Sequence, residues 1–166
     1  APSIDLPRRA GNGNGKRDDY VEPDAAVDPK KDKRISKGLY AVSPAPDGSV
    51  WGSSLGYPGA LMRVTPGTNP TETALTEYYE LPLDENGDPI EGFSPRGMDV
   101  DRNGVAWVAL ASGHLASFDR SKCKTLNGPT ATGQHCPEGW TLYVEPLPQF
   151  QGVELKGSGK PVTIRG

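Results

Sequence analysis

The chain has few of the residues that do chemistry and little material for a large core. Two cysteines, two histidines and two methionines occur in 166 residues, aromatics make up 7%, and a formal charge of −3 leaves no broad cationic surface. Such a surface is what neutralises a phosphate backbone, so nucleic acid is not an expected partner. No apolar run approaches the roughly 18 residues of a membrane span, so no membrane span is predicted. The opening residues, APSIDLPRRAG, lack a charged-then-apolar leader. Any secretion signal is therefore expected to have been removed or to lie outside this segment. No G-x-x-x-x-G-K-[ST] phosphate cradle occurs, and GNGNGK at Gly11 to Lys16 lacks that spacing and has no strand predicted before it. There is no G-x-S-x-G elbow, so Ser53, Ser54 and Ser112 have no legible catalytic partners. The absence of C-x-x-C-H excludes covalent haem attachment.

Backbone punctuation is what abounds. The chain has 21 Gly and 17 Pro, near the proportion at which disorder becomes the default, which argues against a helical bundle and leaves room for one modest core. Residues 1–38 are dense in charge of both signs, with Tyr20, Val21, Val27 and Ile35 as their few anchors. They are predicted to lie as a charged loop over another part of the protein rather than to fold alone. From Leu39 onward, short apolar runs rich in Val, Tyr, Trp and Leu are separated by Gly, Pro, Asp and Asn. That texture predicts strands of an antiparallel sheet.

The strand region repeats. LYAVSPAPDGSVWGSSLGYPGALMRVTP, from Leu39, aligns with PRGMDVDRNGVAWVALASGHLASFDR, from Pro95, with Gly48 on Gly104 and Trp51 on Trp107, both at an offset of 56. After a turn two residues shorter in the second copy, Gly59 meets Gly113, Leu61 meets Leu115 and Val64 meets Phe118. TEYYELP, from Thr76, then matches TLYVEPLP, from Thr141, which sets Tyr78 on Tyr143 and Glu80 on Glu145. Each copy reads as four strands, one over 39–94 and one over 95–152, between an N-terminal extension (1–38) and a tail (153–166). Within the tail, Gly157-Ser158-Gly159 reads as a linker and Val162 to Ile164 as an edge strand.

Asp47-Gly48 and Asn103-Gly104 predict two-residue hairpin turns. Trp51 and Trp107, three residues past each turn glycine, are predicted to anchor one sheet on the next. A lone four-stranded sheet buries neither face, so such sheets must stack or close into a ring. The expected fold is all-β: about two antiparallel four-stranded blades of propeller type forming a partial propeller, with an irregular N-terminal loop.

The units PDGSVWGSSLGYPGALMRVTP and DRNGVAWVALASGHLASFDR resemble blades of bacterial propellers of the streptogramin (virginiamycin B) lyase and NHL-repeat type. The stretch GNGNGKRDDYVEPDAAVDPKKDKRI and the HCPEGW segment are similar to large secreted bacterial proteins labelled as carrying a carboxypeptidase-regulatory-like domain. Such propellers have six or more blades, so the resemblance implies a fragment, a truncated relative or one piece of a larger assembly. It also implies, as an alternative, a metal-dependent C–O lyase in which a histidine removes a proton while Mg2+ holds the substrate carbonyl. His114, in the Ser112-Gly113-His114 turn, is the candidate base, although its counterpart in the first unit is Ala60.

Two further constellations stand in the sequence. Cys123 and Cys136 enclose twelve residues, a loop that a disulfide would stabilise by about 3 kcal/mol in the chain-entropy account. The predicted disulfide points to a secreted or periplasmic protein. Zinc on these cysteines and His135 is the rival, without a closed finger spacing. Asn12, Asn14, Gly15 and Asp18 occupy positions 3, 5, 6 and 9 of a calcium loop, with Asp19 and Glu22 nearby. Ala10 and Val21 replace its terminal carboxylates, so a Gly/Asn turn followed by a solvated charge run competes with Ca2+ binding. Asp84, Asn86 and Asp88 read as a turn. The expected function is a secreted binding or structural module, partnered by other blades or subunits. A small-molecule or glycan ligand is expected at the Gly56 to Gly59 and Ser112 to His114 loops.

Overall fold

The structure, a computed structural model, describes residues 8–144, 149–150 and 164–165. Three short strands come first: β1 (Arg8–Ala10), β2 (Tyr20–Val21) and β3 (Asp32–Ile35). The first repeat then forms β4 (Ala41–Pro44), β5 (Val50–Ser54), β6 (Ala60–Thr65), a single helical turn α1 (Pro70–Thr73) and β7 (Leu75–Glu80). The second repeat forms β8 (Pro95–Val100), β9 (Ala106–Leu110), β10 (His114–Phe118) and β11 (Trp140–Val144), and a ribbon of β12 (Gln149–Phe150) with β13 (Ile164–Arg165) follows. Both repeats are four-stranded antiparallel meanders, in the order β4-β5-β6-β7 and β8-β9-β10-β11. The fold is all-β, and its arrangement fits part of a propeller.

The sheets stack through one core. Trp51, Leu61, Tyr79 and Leu81 of the first repeat meet Ala106, Val108, Leu110, Ala116, Phe118 and Trp140 of the second. Ala106 and Ala116 stand beside Phe118 on the core face of the second sheet, which leaves room for the large rings of the first. The innermost strands β4 and β8 approach each other closely, and Ser43 Oγ donates to Asp99 across them at 2.6 Å. Near β7 the gap between the sheets is filled by the disulfide loop: Glu80 N donates to Gly133 O at 2.9 Å, and Gln134 Nε2 to Leu81 O at 3.0 Å. Cys123 and Cys136 are bonded as predicted.

Three expectations need correction. The first hairpin of each repeat encloses three residues, not two. Ala45 N donates to Ser49 O and Gly48 N to Ala45 O, while Asp101 N donates to Val105 O and Gly104 N to Asp101 O. Only Gly48 and Gly104 turn left-handed, each at φ +81°. Carboxylates favour the wider loop, Asp47 accepting from Ser49 N and Asp101 from both Asn103 N and Val105 N.

The second correction concerns register. Leu61 pairs with Tyr79, and its counterpart Leu115 pairs with Tyr143. Tyr79, not Tyr78, is therefore the equivalent of Tyr143. One residue of slip transfers a side chain to the other face of a strand, so the choice between adjacent tyrosines decides which face is aromatic.

Third, the N-terminal extension does lie against the rest of the protein, but through strands. β3 pairs with β2 in parallel and with β1 antiparallel, and β1 joins β7 in parallel at Ala10 and Thr76, which makes the first sheet seven-stranded. Asp32, 1% exposed, accepts from Asn12 N and Asp18 N and so ties the segment together. In the tail, Ile164 pairs with Phe150; Glu145, Gly157 to Gly159 and Val162 lie outside the described residues.

Candidate functional site

The same aromatic pair stands on the same face of both sheets. On the first, Trp51 stacks on Tyr79 with centroids 6.2 Å apart and planes at 20°; on the second, Trp107 stacks on Tyr143 at 5.6 Å and 23°. Strand alternation puts Leu61 and Leu115 beside the two pairs. The surroundings differ. Trp51 and Tyr79 are 2% and 0% exposed, because Phe118 of the second sheet lies 6.0 and 4.5 Å from their rings. Trp107 is half-buried and Tyr143 is 43% exposed, and among the described residues no strand stacks on them. Trp51 is thus the inter-sheet anchor predicted, whereas Trp107 packs only within its own sheet. Trp107 Nε1 donates to Asp101 at 3.1 Å, which holds the indole flat on this open face.

An ion-pair network joins the sheets beside the first pair. Glu77 accepts from Arg120 Nε and Nη2, both at 2.6 Å, and from Tyr79 Oη at 2.8 Å; Arg63 Nη1 lies 3.4 Å away, and its Nη2 reaches Asp47 at 2.7 Å. Glu77 and Arg63 are only 11% and 12% exposed. Burial, with the Glu77 charge second, pushes the Tyr79 phenol well above its ordinary range. The Glu77 hydrogen bonds hold Arg120 charged. At Asp47, bonds from the Ser49 hydroxyl and then Arg63 keep the carboxyl below the usual range. The sequence alone does not announce this network. The signal it offered was the cross-strand opposition of Arg63 and Glu77, which needs the register to be seen.

His114 is not a turn residue. It opens β10, is 6% exposed, and its Nδ1 lies 3.1 Å from Ser112 Oγ. The loops expected to meet ligand are bound to the link between the repeats instead: Ser94 N donates to Pro58 O, Ala111 N to Ser94 O and Phe93 N to Ser112 Oγ. A methyl on Gly59, at φ +84°, would sit 2.4 Å from Pro95 Cδ, so this end is closely packed.

Around the calcium-like loop, Asn12 and Asn14 both donate side-chain amides to Asp18, at 2.8 and 2.5 Å, and those bonds lower the Asp18 carboxyl below its usual range. Their carbonyl oxygens accept from Asn14 N and Lys16 N, and Asp19 O accepts from Asp32 N. Among the described residues no group of three or more His, Cys, Asp or Glu side chains is placed to hold a metal ion. No helix among them is long and apolar enough to cross a membrane.

His135 packs on Tyr79 at 5.1 Å, accepts from Gly133 N at Nδ1, and has a buried Nε2 with no hydrogen-bond partner among the described residues. Burial lowers its pKa, against a weaker pull from Glu77 and Glu138. The unfolded chain therefore takes up a proton that the fold resists, and stability falls as pH drops below the ordinary histidine value of about 6.5. His135→Phe keeps the ring contact and is expected to remove part of that slope. Urea midpoints between pH 7 and 5 check it, and equal slopes in the two proteins would show that His135 does not cause the loss.

No family model, curated protein or solved structure matches the chain. The geometry is what bears on function.

Proposed function

We propose that the chain is a binding or structural module of propeller type, secreted, and part of a larger extracellular protein or assembly. The observation that carries this is the recurrence of the Trp-Tyr pair, covered on the first sheet and open on the second. The occupant that fits the open face is a further four-stranded sheet of the same kind. It would set an aromatic ring over Trp107 and Tyr143 as Phe118 is set over Trp51 and Tyr79, with small residues beside the ring in the manner of Ala106 and Ala116. The Cys123–Cys136 bond supports the extracellular setting. The lyase alternative draws no support from His114, whose position in the fold is that of a buried strand residue.

A half-exposed aromatic pair flanked by leucine on an uncovered sheet face is an adhesive surface. The isolated chain is expected to associate as its concentration rises, followed by light scattering, with Trp107 shielded from iodide in the associated form. Leu115→Lys, placed on that face, should yield a monomer with an unchanged circular dichroism spectrum. A wild-type chain that stays monomeric at high concentration, unfolds cooperatively and keeps Trp107 inaccessible throughout would refute the docking face.

A further inference from the structure

A cavity of about 330 Å³ lies where the N-terminal segment, β7 and the disulfide loop meet. It is on the side of the first sheet away from the second, since Tyr78 and Glu80 line it and alternate along the strand with the core-facing Tyr79. Its walls are tied to one another. Gly128 N donates to Gly11 O at 3.2 Å, and Glu80 N to Gly133 O at 2.9 Å, so all three elements are held to one another. The volume falls within the range of small-molecule sites.

The lining is chemically biased. Lys31, Lys33, Arg34 and Lys37 all line it in a chain whose net charge is −3, with the Lys33 side chain on the cavity side of β3 and that of Arg34, one residue on, turned to the other face. Among the described residues Glu80 is the one acid on the wall, and its carboxylate is already engaged by Tyr78 Oη at 3.2 Å and Gln134 Nε2 at 3.1 Å. Glu22, opposite Arg34 at 3.4 Å, offsets one cation. Among the described residues Lys31, Lys33 and Lys37 outnumber Glu80, and the balance stays positive. Tyr78, Val27 and Ile35 supply a ring and two aliphatic surfaces. Cations grouped around an aromatic and apolar floor recognise a compact organic molecule with a ring and an acidic group.

We infer that this cavity is a binding site for a small ring-bearing organic carboxylate, with Tyr78 contacting the ring and the lysines the acid group. This is independent of the open sheet face. Once β3 is paired, the charged segment that reads as solvated in the sequence lines a cavity whose opposite wall is the disulfide loop.

An amide NMR titration of the full chain tests the inference, with D-glucuronate and benzoate as probes and glucose and benzamide as their neutral counterparts. The two acids separate a saccharide source from an aromatic one. At least one acid should give saturable shifts centred on Tyr78, Thr132 and Lys33, and its neutral counterpart should give none. Lys31→Gln combined with Lys37→Gln is expected to weaken binding about tenfold, the loss of one charge-assisted contact. Ala131→Phe, which keeps every charge but fills the cavity, should abolish it while the remaining spectrum stays in place. The inference is overturned if neither acid saturates, if the neutral molecules shift the same residues equally, or if Ala131→Phe binds as wild type does.

Discussion

Trp51→Ala is expected to destabilise the chain by about 4 kcal/mol, and the same change at Trp107 by about 1 kcal/mol. The two residues share a strand position, a turn and a stacked tyrosine. Only their cover differs. Removing Trp51 leaves a void against Phe118 and Tyr79 that the stacked sheets cannot close. Removing Trp107 costs a half-exposed ring and its hydrogen bond to Asp101, which water can replace. Denaturant unfolding of both variants, read by circular dichroism, measures the contrast. Similar costs would mean that Trp107 is buried as deeply as Trp51 in solution and that no face is waiting for a partner. A third sheet supplied in trans or by a longer chain should raise the cost at Trp107 toward that at Trp51.

Glu77→Ala is expected to cost about 3 kcal/mol, near the lower end of what breaking a buried ion pair costs, because Arg120 keeps 29% exposure. The carboxylate answers two guanidinium groups and a phenol. Without it, Arg63 and Arg120 face each other across the seam between the sheets. Glu77→Gln, which retains shape and acceptor but not charge, should fall between alanine and wild type. Asp47→Ala serves as the contrast: Asp47 holds the same Arg63 but is 56% exposed, so its loss should stay below about 1 kcal/mol. If Glu77→Ala and Asp47→Ala cost the same in urea, the network contributes no more than a surface pair.

Much of the architecture could be read before any coordinates. The strands followed from short apolar runs between turn residues, and the repeat from Gly48 with Gly104 and Trp51 with Trp107. The disulfide followed from the length of the loop between Cys123 and Cys136. Each of these depends on local chemistry, which a linear reading sees directly. The size of the first hairpins was misread because a carboxylate at Asp47 or Asp101 stabilises a three-residue loop that glycine alone does not announce. Tyr78 and Tyr79 are adjacent in the repeat pattern, and only the pairing of Leu61 and Leu115 decides between them.

The candidate site was less legible. His114 looked like a turn histidine because it follows Gly113, yet ladder pairing with Leu110 and Val144 draws it into the strand. Lys31 to Lys37 looked like a solvated run because nothing near them in sequence could cover them. The opposite wall of their cavity, residues 128–132, comes from the other repeat.

By itself the sequence determined an all-β chain with two sister sheets, their turn glycines and one covalent clip, because turn preference, strand alternation and loop length act over a few residues. The tertiary structure alone decided which tryptophan is buried, which tyrosine it stacks on and where cations gather around a cavity. Burial and local field belong to whatever lies across the gap, and for Trp51 and Trp107, alike in sequence, what lies across the gap is the whole difference.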